Sequence, residues 1–140
     1  MALETDDKRA IIAYRLEKAD AVMTEAKDNA MLKHWTLTAN RLYYAVFHAA
    51  TALLIDKSLT AKSHAGVIRV LCQEFVLSGM LSKADARLIS RLQNMRNSGD
   101  YDDLFDWTEE DVAPLIEPTE QLILKIRSLI TLVTEKSIHS

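Results

Sequence analysis

Leu42-Tyr43-Tyr44-Ala45-Val46-Phe47-His48-Ala49-Ala50-Thr51-Ala52-Leu53-Leu54-Ile55 runs without a single Asp, Glu, Lys or Arg. Leu42, Val46, Phe47, Ala50 and Leu54 recur at the three-and-four spacing of one helical face. The remaining positions are small or aromatic, so the segment is apolar on most sides, which is the pattern of a helix enclosed by others. The run is too short for a bilayer, which takes about 20 apolar residues. A helix from about Trp35 to Asp56 is therefore expected at the centre of a helical protein, with other helices packed around it.

Working outward, Ile12, Leu16, Ala19, Met23, Ala26 and Ala30 give an apolar stripe for a first helix from about Asp6 to Ala30. A linker at Ser58 to Ser63 leads to a shorter third helix carrying Val67, Ile68, Leu71, Cys72, Phe75 and Val76, which Gly79 ends. Ser82 is placed to cap a fourth helix, with Asp85 three residues on in the capping-box position. That helix continues through Leu88, Leu92 and Met95. Thr108, followed by Glu109, Glu110 and Asp111, announces the fifth. Pro114 and Pro118 fall too deep for a first-turn proline, so a kink, or a short helix and then a longer one, is expected before Leu122, Ile123, Ile126, Leu129, Ile130 and Val133. No period-two run of β-branched residues occurs. The fold expected is all-α: an up-down bundle of four long helices plus a short helix, one domain over residues 1–140.

Composition agrees. The chain has 140 residues, 49% hydrophobic and 26% charged, with three Gly and two Pro, and few turn residues mean long elements. Cys72 is the single cysteine, so no disulfide framework exists and a reducing compartment suits it. Met1 to Arg9 carries acidic residues and no apolar run, unlike a signal peptide, so a cytoplasmic protein without membrane association is expected. A net charge of −3 speaks against sequence-independent nucleic-acid binding, which needs many phosphate-neutralising cations. Charge is unevenly spread: Asn97 to Leu124 holds no Lys or Arg but nine carboxylates. The stretch is read either as a solvated turn with an acidic helix start or as a match to a basic partner.

Arg96-Asn97-Ser98-Gly99-Asp100-Tyr101-Asp102-Asp103 interrupts a helix-favouring pattern with poor helix formers, and the helix is expected to end there with Gly99 as its C-cap. Tyr43 and Tyr44 are about 100° apart on their helix, so one should pack inside while the other reaches a groove. Arg41, on the same helix, and Arg96 could join a tyrosine hydroxyl in reading a phosphate or a carboxylate. His48 reads as a hydrogen-bonded core histidine, and His64 as a local cap or surface contact. The four histidines and one cysteine have no metal-ligand spacing, so no metal and no cofactor is expected. Phosphate loops and nucleophile elbows are absent.

Arg41-Leu42-Tyr43-Tyr44-Ala45-Val46-Phe47-His48-Ala49-Ala50, then Lys62-Ser63-His64-Ala65-Gly66-Val67-Ile68, then Arg96-Asn97-Ser98-Gly99-Asp100-Tyr101 resembles, in order and spacing, the HEPN-domain proteins. The resemblance extends over nearly the whole chain. It implies a helical bundle that dimerises and is often encoded beside a small nucleotidyltransferase. Many members are metal-independent ribonucleases with an Arg followed four to six residues later by a His at the dimer cleft. Arg96 matches the Arg, but Asp100, Tyr101, Asp102 and Asp103 stand where the His should be.

Three functions remain in view. The first is a homodimeric HEPN-type module in a toxin–antitoxin-like pair with a nucleotidyltransferase, with Arg96, Asp100 and Tyr101 as a degenerate catalytic cluster and little or no nuclease activity. The second is a ribonuclease in which Tyr101 or His64 replaces the missing His beside Arg96. The third is a nucleotide-binding protein that uses Arg41, Tyr44 and Arg96, with His64 alongside, as a phosphate and base platform.

Overall fold

The computed structural model describes the backbone of residues 5–101 and 106–139 and the side chains of residues 6–98 and 106–130. Five α-helices follow one another: α1 (Thr5–Met31), α2 (Trp35–Asp56), α3 (His64–Leu71), α4 (Lys83–Tyr101) and α5 (Glu109–His139). A π-helical turn at Cys72–Val76 extends α3. Among the described residues there is no strand, and no helix is long and apolar enough to cross a membrane.

Polar cross-links fix the topology. Glu25–Arg41 at 3.9 Å, Arg15–His48 at 3.0 Å and Lys8–Ser58 at 2.8 Å step away from the loop at residues 32–34 along both helices, so α1 and α2 are antiparallel. Asp20–Arg127 at 2.7 Å and the Lys27–Glu120 ion pair set α5 antiparallel to α1. Asp85–Lys125 at 2.7 Å, with the Trp107 indole donating to the Met95 carbonyl at 3.2 Å, sets α4 antiparallel to α5. The long helices thus run up, down, up, down, and α3 lies against α2. These surface pairs fix register more than they stabilise, since exposed ion pairs contribute about 0–1 kcal/mol each.

Burial explains why α2 sits in the middle. It packs against each of the other four helices, and Leu42, Ala45, Ala49, Ala50, Ala52 and Leu53 have no exposed surface. Around it lie Ala19, Val22 and Ala26 of α1, Leu71 and Phe75, Ile89, Leu92 and Met95 of α4, and Leu122 and Ile126 of α5. Two helix starts use reciprocal caps. The Ser82 and Asp85 backbone N–H groups each donate to the other's side chain at 2.8 and 3.0 Å, and Thr108 and Asp111 repeat the exchange. Gly79, at φ +85°, turns the chain after α3 and the π turn, in a conformation that costs glycine little.

Two expectations are corrected. First, α4 does not end at Gly99; it runs on to Tyr101. Met95 and Leu92 are buried against α2 and Arg96 bonds Tyr44, so tertiary contacts outweigh the roughly 1 kcal/mol that glycine costs a helix interior. Second, the alternative of a short helix followed by a longer one does not hold: α5 is one element with Pro114 and Pro118 inside it. The carbonyls deprived of a donor belong to Glu110 and Pro114. With Pro118 these residues form an i, i+4, i+8 stripe that is exposed, so water can satisfy them, while Val112 and Thr119 anchor the opposite face.

Candidate functional site

The site is built outward from two adjacent tyrosines. Tyr43 is buried at 2% exposure, and burial pushes its phenol pKa up, with the nearby Arg96 charge acting in the opposite direction. Tyr44 is half-buried on the groove side. The 100° between consecutive helical residues divides them as the sequence suggested.

Arg96 reaches across from α4. Its guanidinium donates to the Tyr44 hydroxyl at 3.1 Å and lies 5.7 Å from the centroids of both tyrosine rings, within cation–π range. Arg41, one turn before Tyr44 on α2, stands 5.3 Å from the same ring. His64, the first residue of α3, meets Tyr44 edge-on at 5.9 Å and tilts against Phe47 at 4.3 Å. Ser63 fixes that helix start by accepting the Gly66 N–H at 3.0 Å. Tyr44 is therefore the common neighbour of Arg41, Arg96 and His64, the groups read from sequence as phosphate ligands. A hydroxyl that accepts from a guanidinium is a better donor to an incoming anion, so the cluster can bind negative charge.

Beside it, His48 lines a cleft instead of being enclosed in the core. It is half-buried, and Arg15 of α1 donates to its Nδ1 at 3.0 Å. A guanidinium only donates, so Nδ1 must be unprotonated and the ring neutral with its proton on Nε2. Burial first, then the positive charges of Arg15, Lys18 and Arg41 and the neighbouring His64, push its pKa down to about 4. Since the folded value lies below the ordinary 6.5, the unfolded chain binds the extra proton between those values. Stability present at pH 7 is accordingly lost as pH falls from about 6.5 to about 4. The half-exposed ring limits the effect to on the order of 1 kcal/mol. Urea unfolding of the parent and of His48→Asn, which keeps an acceptor for Arg15, should show the parent losing about that much more; parallel pH curves would disprove it.

The side chains of Asp100 and Tyr101 lie outside the described residues, as do Asp102 and Asp103; the backbone places residues 100 and 101 on α4. Sequence reasoning missed Arg15, because nothing in the first helix marks one basic residue among several. Counting outward from the tight turn at residues 32–34 would have paired it with the middle of α2.

The family model for the HEPN domain matches residues 12–129. The chain belongs to the HEPN family. A Thermotoga maritima protein named UPF0332 is 34% identical over 89% of this chain and 95% of its own length. A Methanocaldococcus jannaschii protein named "Putative toxin" is also 34% identical, over 90% of this chain and 93% of its own. A second M. jannaschii protein of the same designation is 26% identical over 72% and 69%. As a HEPN domain, the chain has the all-α bundle that the resemblance implied.

Proposed function

We propose that this HEPN domain is a homodimeric component of a toxin–antitoxin-like pair, working with a small nucleotidyltransferase in the cytoplasm and cleaving RNA weakly or not at all. The observation that carries the reading is the set of residues after Arg96: Asp100, Tyr101, Asp102 and Asp103 replace the imidazole that the family's ribonucleases use. Imidazole titrates near neutrality, whereas Asp is a weak base and Tyr a weak acid there. Relatives of similar length that carry the name "Putative toxin" support the pairing with a partner. The polar cluster of Arg96, Asp100 and Tyr101 then serves recognition at the subunit cleft.

The second reading is a ribonuclease that draws its imidazole from α3. It is favoured by Tyr44, which stands between Arg96 at 3.1 Å from its hydroxyl and the His64 ring at 5.9 Å from its own. Two measurements separate the readings. Light scattering should give a dimer mass, and co-expression with a small nucleotidyltransferase, where one is encoded beside this chain's gene, should give a complex that survives size exclusion. A monomer that forms no complex removes the first reading. Growth arrest on expression of the chain alone, relieved by Arg96→Ala, favours the second.

A further inference from the structure

Large apolar side chains stand in solvent as a group at one end of the bundle. Met31, Leu32 and Leu37 are 82%, 66% and 54% exposed, and all three belong to the turn from α1 into α2. The turn is not frayed. Lys33 sits at φ +62°, its N–H donates to the Ala30 carbonyl at 3.0 Å, and the His34 N–H donates to the Asn29 carbonyl at 2.8 Å, the paired bonds of a Schellman stop. A fully bonded backbone therefore carries the exposed side chains. Apolar residues exposed singly are ordinary, whereas a contiguous group marks contact with another molecule.

Beside this turn lies a pocket of about 390 Å³ whose walls include Trp35, Leu37 and Trp107. The Trp107 backbone N–H donates to Thr36 Oγ1 at 2.9 Å and its indole N–H to the Met95 carbonyl at 3.2 Å. With both donors used, Trp107 offers ring surface, which suits an aliphatic side chain. The charge around the pocket is mostly negative. Asp28 precedes Leu32 by one turn, Asp106 is in the pocket wall, and Glu109, Glu110 and Asp111 form the first turn of α5. Against them stand Lys33 and Arg91, and Arg91 already lies 5.2 Å from the centroid of the Trp107 ring. The carboxylate-rich stretch after Asn97 thus meets an exposed apolar surface. Lipid and nucleic-acid phosphates are repelled by such charge. Among the described residues no strand offers an edge for strand addition, which leaves a helix as the complementary element.

We propose that this end of the bundle docks a basic amphipathic helix of a partner protein, with an aliphatic side chain seated against Trp35, Leu37 and Trp107 and Lys or Arg residues facing Asp106, Glu109 and Glu110. Apolar contact supplies the anchor and opposite charge sets the orientation. The surface stands whether or not the partner is a nucleotidyltransferase.

Trp35 and Trp107 are the two tryptophans of the chain, so its intrinsic tryptophan emission reports on this surface. The full chain is titrated with a synthetic helical peptide of Leu and Lys that carries its leucines on one face. A saturable shift of the emission is expected. A Leu and Glu peptide of the same pattern, and a Leu and Lys peptide shuffled to abolish the apolar face, should give none. Leu37→Ser and the double variant Glu109→Lys, Glu110→Lys should each weaken binding about tenfold, the loss of one substantial interface contact. Leu77→Ser, an equally exposed leucine before α4 and at its other end, should leave it unchanged. All these positions are exposed, so the variants should fold, and matching circular dichroism checks this. The proposal fails if the Leu and Lys peptide does not saturate the shift, if either control peptide binds as well, or if Leu77→Ser weakens binding as much as Leu37→Ser. Light scattering should give the parent and Leu37→Ser the same mass; a smaller mass for the variant would assign the surface to contact between copies of this chain and overturn the proposal.

Discussion

Incubated with single-stranded RNA in EDTA, the purified protein is expected to cleave it about 10²–10⁴-fold more slowly than HEPN ribonucleases with the intact Arg and His, the usual contribution of a positioned acid–base group. Two histidines stand near Arg96 and Tyr44, and neither fits the missing role well. His48 is held neutral, with its pKa down at about 4, and its Nδ1 is occupied by Arg15, so it supplies no acid at neutral pH. His64 reaches Tyr44 only through a ring edge and tilts against Phe47. The sequence after Arg96 adds Asp100, Asp102, Asp103 and Asp106, carboxylates that repel phosphodiesters within a Debye length of about 8–10 Å. Robust cleavage that disappears in Arg96→Ala would overturn this expectation. If it also disappeared in His64→Ala, the imidazole would be assigned to α3.

What the sequence revealed and what it hid follow from the range of the interactions involved. The charge-free run from Leu42 to Ile55 announced the buried helix because burial on all sides leaves a local trace. The Ser82–Asp85 exchange was legible for the same reason: a cap is made by residues three apart. Tyr43 and Tyr44 could be divided between core and groove from helix geometry alone. By contrast, the passage of α4 through Ser98 and Gly99 depends on what α2 offers to Leu92, Met95 and Arg96. The passage of α5 through two prolines depends on their carbonyl partners facing solvent. The gathering of Arg41, Tyr44, Arg96 and His64 joins residues up to 55 positions apart in sequence. Their chemistry suggested a common site, but only packing of α2 against α3 and α4 brings them together. The Arg15–His48 bond left the weakest trace, since each partner alone reads as ordinary.

Leu53→Ala is expected to destabilise the protein by about 2–5 kcal/mol, a large share of the roughly 5–15 kcal/mol that a domain has in total. Leu53 has no exposed surface and lies on the helix that every other helix packs against. Truncation removes its transfer free energy and leaves a cavity, and five helices of fixed length cannot all close on the gap. Neighbouring positions on α2 are already alanine: Ala45, Ala49, Ala50 and Ala52 are fully buried, so little side-chain volume is at hand to refill it. Leu124→Ala provides the contrast. Leu124 is 52% exposed on α5, and its truncation should change stability by no more than about 0.5 kcal/mol. Urea denaturation of both variants, followed at one fixed protein concentration so that any dimer linkage is shared, measures the difference. A loss below about 1 kcal/mol for Leu53→Ala, or an equal loss for the two leucines, would mean that α2 is not the centre of the core.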